Sequence, residues 1–191
     1  MQHDPSYMRL FSHPEMVADL LKGFVREDWV NQLDLTTLER VSGSFVTDDL
    51  RDRDNDIIWR VRWGREWLYV YLLIEFQSSV DRHMAVRIMA YVALLYQDLI
   101  AQEQVPTDGQ LPPVLPLVLY NGRRPWQAPC DISDLIHPVP GHLGRYRPSL
   151  RYLLTDESRF TNQALPEARN LAAALIGLEN SRTPKDVTRV R

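Results

Sequence analysis

The sequence predicts an α/β fold, a mixed central sheet flanked by helices, and three observations carry that prediction. Residues 56–77 read as two apolar strands joined by a tight turn. Residues 81–100 read as a long, strongly apolar helix leading into another apolar strand at 114–120, and a helix that crosses from one strand to the next commonly yields a parallel pair. Shorter helical stripes at 13–27 and 165–178 are available to cover the sheet.

Each element has its own justification. In the first helix Met16, Val17, Leu20, Leu21, Phe24 and Val25 recur at helical spacing, Ser12 and Glu15 have the spacing of a capping box, and Pro14 suits the first turn. Asp34 to Val41 is read as a second, short helix and Ser44 to Thr47 as a short strand. The charged run from Asp48 to Asp56 is a loop; its Asp52-x-Asp54-x-Asp56 alternation lacks the turn glycine and the closing acid of a calcium loop.

In the hairpin, Ile57, Trp59, Val61 and Trp63 share one face, and Asp56, Ile58, Arg60 and Arg62 share the other. On the return strand Trp67, Tyr69, Tyr71, Leu73, Glu75 and Gln77 alternate with Leu68, Val70, Leu72, Ile74 and Phe76. Both faces are apolar, which predicts a central strand. A two-residue turn at Arg65-Glu66, or a four-residue one over Gly64 to Trp67, sets Asp56 directly opposite Glu75, whereas a turn on Gly64-Arg65 leaves the two as diagonal neighbours. The first register is the favoured expectation, and either holds the acids close enough to share a metal ion.

In the long helix Met84, Ile88, Tyr91, Leu95 and Leu99 fall on one stripe, widened by Ala85, Val92 and Tyr96, a pattern too apolar for a surface helix. Pro116 in the strand that follows argues for an edge position or a bulge. Asn121-Gly122 signals a turn, residues 123–150 read as a surface excursion, and Arg151 to Leu154 as a last short strand. The expected organisation is one folded domain over 1–160, followed by a C-terminal helix and polar tail over 161–191.

With 45% hydrophobic and 25% charged residues the composition is that of a globular protein, and no uninterrupted apolar run reaches the roughly 18 residues of a membrane span. No membrane association is expected. The start lacks the basic-then-apolar order of a secretory signal, so Cys130, the single cysteine, is expected to be reduced in a cytoplasm. One cysteine excludes an internal disulfide and a zinc site built on several cysteines. A net charge of -3 argues against a wholly electrostatic nucleic-acid binder, although nearly all the basic residues are arginine, the side chain best suited to bidentate phosphate contacts.

An acid that ends a strongly apolar strand is costly to bury unless it is paired or metal-bound, and that singles out Glu75. Asp56, then Glu75-x-Gln77 at the end of the next strand, then a helix, is similar to the core of the PD-(D/E)XK nuclease superfamily, which has a restriction-endonuclease-like fold. More narrowly, His3-Asp4, Ile74 to Ser79, Met84 with Arg87 and Tyr91, and Leu119 to Gly122 with Trp126 resemble the YhgA-like family of recombination-promoting nucleases and transposases. The resemblance covers roughly residues 3–155.

It implies a metal-dependent DNA endonuclease associated with recombination or mobile elements, with DNA as partner, Mg²⁺ (or another divalent ion such as Mn²⁺ or Ca²⁺) as cofactor, and a homo-oligomer as a compatible assembly. Asp56 and Glu75 would be metal ligands, the backbone carbonyl of Phe76 a further one, and Gln77 the third catalytic position. The superfamily usually has lysine there. A neutral amide can position a water or phosphate but supplies neither charge nor a general base. Arg87 would bind phosphate and restore part of that charge. Glu15 reads first as a capping-box acid and second as a supporting ligand. The alternative is a non-catalytic DNA- or protein-binding module on a degenerate nuclease fold, and a ribonuclease-H-like strand-transfer enzyme is a weaker third reading.

Overall fold

The computed structural model describes residues 5–41, 56–75, 80–105, 108–122, 124–138, 141–159 and 170–179, and for positions 5, 6, 56, 73–75, 158 and 177–179 it describes the backbone. The chain runs α1 (Pro5–Leu10), α2 (Pro14–Phe24), β1 (Leu33–Arg40), β2 (Asp56–Trp63), β3 (Glu66–Glu75), α3 (Met84–Ala101), β4 (Val114–Tyr120), β5 (Leu153–Asp156) and α4 (Leu171–Glu179), with short 3-10 turns between. The five strands form one sheet in the order β1-β2-β3-β4-β5. β1, β2 and β3 are antiparallel, and β3, β4 and β5 are parallel, which makes the sheet mixed as the sequence predicts.

The pleat divides the core in two. Ile57, Trp59, Val61, Leu68, Val70 and Leu72 pack with α2 and with Ala172 and Ile176 of α4. Ile58, Tyr69, Tyr71, Val118 and Tyr120 pack under α3 on the opposite face. β3 is therefore central and apolar on both sides, as expected. α3 is 18 residues long and, by length and composition alone, apolar enough to cross a bilayer. Its stripe of Met84, Ala85, Ile88, Tyr91, Val92, Leu95 and Leu99 is buried against the sheet, which is the pattern of a core helix.

Several expectations are corrected. Residues 34–40 are strand, not helix: Leu35, Leu38 and Val41 mimic helical spacing because the β1–β2 register shifts between Asp34 and Glu39, and such an irregularity breaks the two-residue alternation. α1 was not foreseen; it seats Tyr7 and Phe11 in the core. No capping box forms, because His13 is the N-cap and the Ser12 hydroxyl instead donates to the Met8 carbonyl (2.6 Å). β4 is interior from Leu117 onward, yet Pro116 precedes the first β5 pair, so its missing N–H interrupts no ladder on that side. The stretch 123–150 is more than a surface excursion, since it sends Trp126 and Ile132 into the α3-side core. The strand expected at 44–47 lies outside the described residues.

Candidate functional site

The site begins with the hairpin turn. Gly64 has φ 63, and glycine at the first central position is the signature of a two-residue turn matched to strand twist. The turn therefore falls on Gly64-Arg65, and Trp63 pairs with Glu66. That fixes Asp56 opposite Leu73, with Glu75 two residues further along β3. The favoured register, with Asp56 directly opposite Glu75, is thus corrected to the diagonal one. Positions 56 and 75 still share a face, the one under α3, and diagonal neighbours sit about 7–8 Å apart.

The parallel half of the sheet extends this row. Glu75 pairs with Tyr120 of β4, and Tyr120 pairs with Asp156 of β5. Because β3, β4 and β5 are parallel, all three positions stand at carboxyl ends, and β2 starts where they finish. α3 follows β3 and returns over the sheet, so its first turn belongs to the same end. There Arg87 donates to Asp81 (Nη1 to Oδ2, 3.0 Å) and through Nε to the Tyr91 hydroxyl (3.3 Å). Tyr91 in turn stacks on Tyr71 of β3 at 5.7 Å between centroids. Arg87 is thus tethered to the face that carries positions 56 and 75.

Glu15 is not brought to this group. It is exposed in the first turn of α2, in the helical layer on the other face of the sheet. Phe76 and Gln77 lie outside the described residues. Among the described residues no cluster of three or more His, Cys, Asp or Glu forms a ready metal site.

Sequence reasoning missed Asp156. It ends a short apolar strand, the same signal that singled out Glu75, and it is buried with 3% exposure. Its Oδ2 accepts from the Trp126 backbone N–H (3.0 Å) and from Arg159 Nε (3.1 Å), while Arg159 Nη2 donates to the Trp126 carbonyl (3.0 Å). This clamp fixes the loop after β4. Trp126 packs edge-on to Tyr120 (4.8 Å) and donates from Nε1 to the Tyr152 hydroxyl (3.1 Å). Burial pushes the Tyr152 hydroxyl well above its ordinary pKa, keeping it a donor to the Pro129 carbonyl (3.1 Å). The Tyr120 hydroxyl donates to the Arg124 carbonyl (2.8 Å), and its ring passes so close to Gly122 that a Cβ there would collide with it. The Tyr-Asn-Gly segment is therefore a rigid buttress beside position 75.

Acid-bearing positions at the carboxyl ends of strands, with a loop locked beside them, are where open α/β sheets place ligand sites. The chain belongs to the family described as "Putative transposase, YhgA-like", which matches residues 1–190. It is 32% identical over 140 residues to "Recombination-promoting nuclease RpnD" of Escherichia coli O157:H7, covering 72% of this chain and 52% of that protein. To "Recombination-promoting nuclease RpnA" of Escherichia coli K12 it is 32% identical over 121 residues, 63% of this chain and 40% of the relative. To "Inactive recombination-promoting nuclease-like protein RpnE" of the same strain it is 31% identical over 171 residues, 89% of this chain and 55% of the relative. The chain thus spans about half the length of these relatives. No solved structure matches it.

Proposed function

We propose that this chain is the nuclease domain of a metal-dependent DNA endonuclease that acts in recombination or on mobile DNA. The observation that carries the reading is the β2–β3 register, which sets Asp56 and Glu75 as diagonal neighbours on one face, at the carboxyl end of the parallel strands. Names of relatives support nuclease chemistry linked to recombination.

Two acids so spaced suit a hard divalent cation such as Mg²⁺, Mn²⁺ or Ca²⁺, with the Phe76 carbonyl completing the protein's share of the ligands. When bound, the ion would activate water and neutralise charge on the phosphate. Asp56 and Glu75 hold that charge in place. Gln77 orients the attacking water through its amide, and Arg87, tethered by Asp81 and Tyr91, supplies a cation at the phosphate.

The second reading is a non-catalytic DNA- or protein-binding module. It is favoured by Gln77 in the place of a charged residue and by the similarity to a relative named inactive. Incubating supercoiled plasmid with purified protein and Mg²⁺ or Mn²⁺ separates the two. Divalent-dependent nicking or cutting that vanishes in Asp56→Ala and Glu75→Ala supports the endonuclease. Full activity in both variants refutes the assigned site, and binding without cleavage under every divalent ion favours the module.

A further inference from the structure

The far end of the same hairpin carries a second feature. Arg60 and Arg62 lie on the face of β2 that also bears position 56, and their guanidinium carbons stand 4.6 and 3.8 Å from the centroid of the Trp67 ring. Arg60 is paired with Glu39 of β1 (2.8 Å). Arg62 donates to the Arg65 carbonyl (2.9 Å), and neither Arg62 nor Arg65 has a carboxylate partner among the described residues. Arg62, Arg65 and Trp67, together with Glu66, Gln104 and Pro112, line a cavity of about 300 Å³.

The cavity is built on both sides. Tyr96 of α3 donates to the Pro112 carbonyl (3.1 Å) and pins that wall. Gln104 is delivered by an unusual helix end: Glu103 is the one non-glycine among the described residues with positive φ (56), and the Gln104 N–H returns to the Leu99 carbonyl (2.9 Å). Glycine normally fills that left-handed position, so a glutamate there is held by its surroundings at some cost. Two arginines against one exposed glutamate leave the lining net positive. Guanidinium forks stacked on an indole are held in place for a planar or tetrahedral oxyanion.

A net-positive lining on the strand that carries the proposed phosphodiester site suits a second phosphate of the same nucleic acid. Arg60 and Arg62 are four and six residues from Asp56 on a strand rising about 3.4 Å per residue, so they lie about 14 and about 20 Å from it. Duplex DNA completes a turn in about 34–36 Å, so about 20 Å is little more than half a turn, within the span of one duplex lying along β2. We propose that the Arg62–Arg65–Trp67 cavity is a second DNA contact, holding the phosphodiester backbone of the same duplex about 20 Å from the phosphate addressed by Asp56 and Glu75. The spacing of about 20 Å to a cleaved phosphate rests on the endonuclease reading; the anionic-backbone contact does not.

Fluorescence anisotropy of a labelled 30-base-pair duplex, titrated with the full chain in EDTA over a series of salt concentrations, tests the contact apart from cleavage. Arg62→Ala/Arg65→Ala should weaken binding roughly tenfold at low salt and reduce the slope of log Kobs against log[salt] by about two, one for each lost phosphate contact. Its melting curve by circular dichroism should match that of wild type, since Arg65 is exposed and Arg62 half-buried. A double variant that is folded and retains both affinity and salt slope overturns the proposal, as does a wild-type chain that binds no DNA or that prefers an acidic peptide. Failure of the endonuclease reading is told apart because wild-type protein then cleaves under no divalent ion while the arginine effect on binding persists.

Discussion

The two ends of the β2–β3 hairpin are chemical opposites. At one end two acid positions stand beside the fully buried rings of Tyr71 and Tyr120, and at the other arginines stack on a half-buried indole at the turn. The difference lies in surroundings as much as in sign. Charge next to a packed interior is expensive unless something of opposite sign joins it, whereas charge at an exposed turn is solvated at little cost. Under the proposed function the acid end concentrates a cation and performs chemistry, and the arginine end binds and orients. Substitutions that act on one end and spare the other are the way to break that division.

The largest effect belongs to the acid end. Losing several kcal/mol of charge stabilisation at the phosphate corresponds to roughly a thousandfold or more in rate. Asp56→Ala or Glu75→Ala is expected to lower plasmid cleavage by at least that factor while DNA affinity in EDTA does not fall, because a carboxylate facing the phosphate is removed with no metal bound. An equal loss of binding and cleavage would collapse the two ends into one site.

Next comes the buttress beside the acid end. Trp126→Ala removes a buried ring that packs on Tyr120, and is expected to cost about 3–5 kcal/mol in urea unfolding. Gly122→Ala forces the Tyr120 ring aside and is expected to cost about 1–3 kcal/mol, with a greater loss of cleavage than of DNA affinity. Unchanged cleavage in a folded Gly122→Ala protein would show that Tyr120 has no part in shaping the acid end.

How much of this was open to sequence reasoning depends on the range of the interactions involved. β2, β3 and α3 were legible because their patterning is local: alternation and helical stripes are complete within each segment. The face assignment of Asp56 with Arg60 and Arg62 follows from the same alternation. The register was less so, since two turns differing by one residue both fit the apolar pattern, and the positive φ at Gly64 decided between them. β1 was misread because its register shift disguises its period. Asp156 was missed because its role depends on Trp126 and Arg159, brought to it by a β4–β5 pairing across more than thirty residues that no local pattern announces. Glu15 failed for the converse reason: its local spacing was suggestive, but α2 packs on the wrong face.

A gain of function sharpens the contrast from the acid end. Gln77→Lys restores the charge that Gln77 lacks, and if transition-state charge limits the rate, cleavage should rise roughly tenfold in a single-turnover assay. The arginine end should be indifferent, with the salt slope of binding unchanged.

The smallest effect concerns Arg60. Its ion pair with Glu39 is partly exposed, with side chains 20% and 53% accessible, so Glu39→Gln should cost under about 1 kcal/mol of stability. The consequence for binding is of opposite sign. Freed of its carboxylate and still stacked on Trp67, Arg60 becomes a third cation beside Arg62 and Arg65. DNA affinity in EDTA should therefore rise several-fold and the salt slope steepen by about one. In a protein that also carries Arg62→Ala and Arg65→Ala the gain should shrink, because a lone guanidinium 14 Å or so from the acids, by strand rise, no longer has neighbours holding the backbone in reach. An identical gain in both backgrounds would make Glu39 a general electrostatic brake on DNA binding, unconnected to the turn.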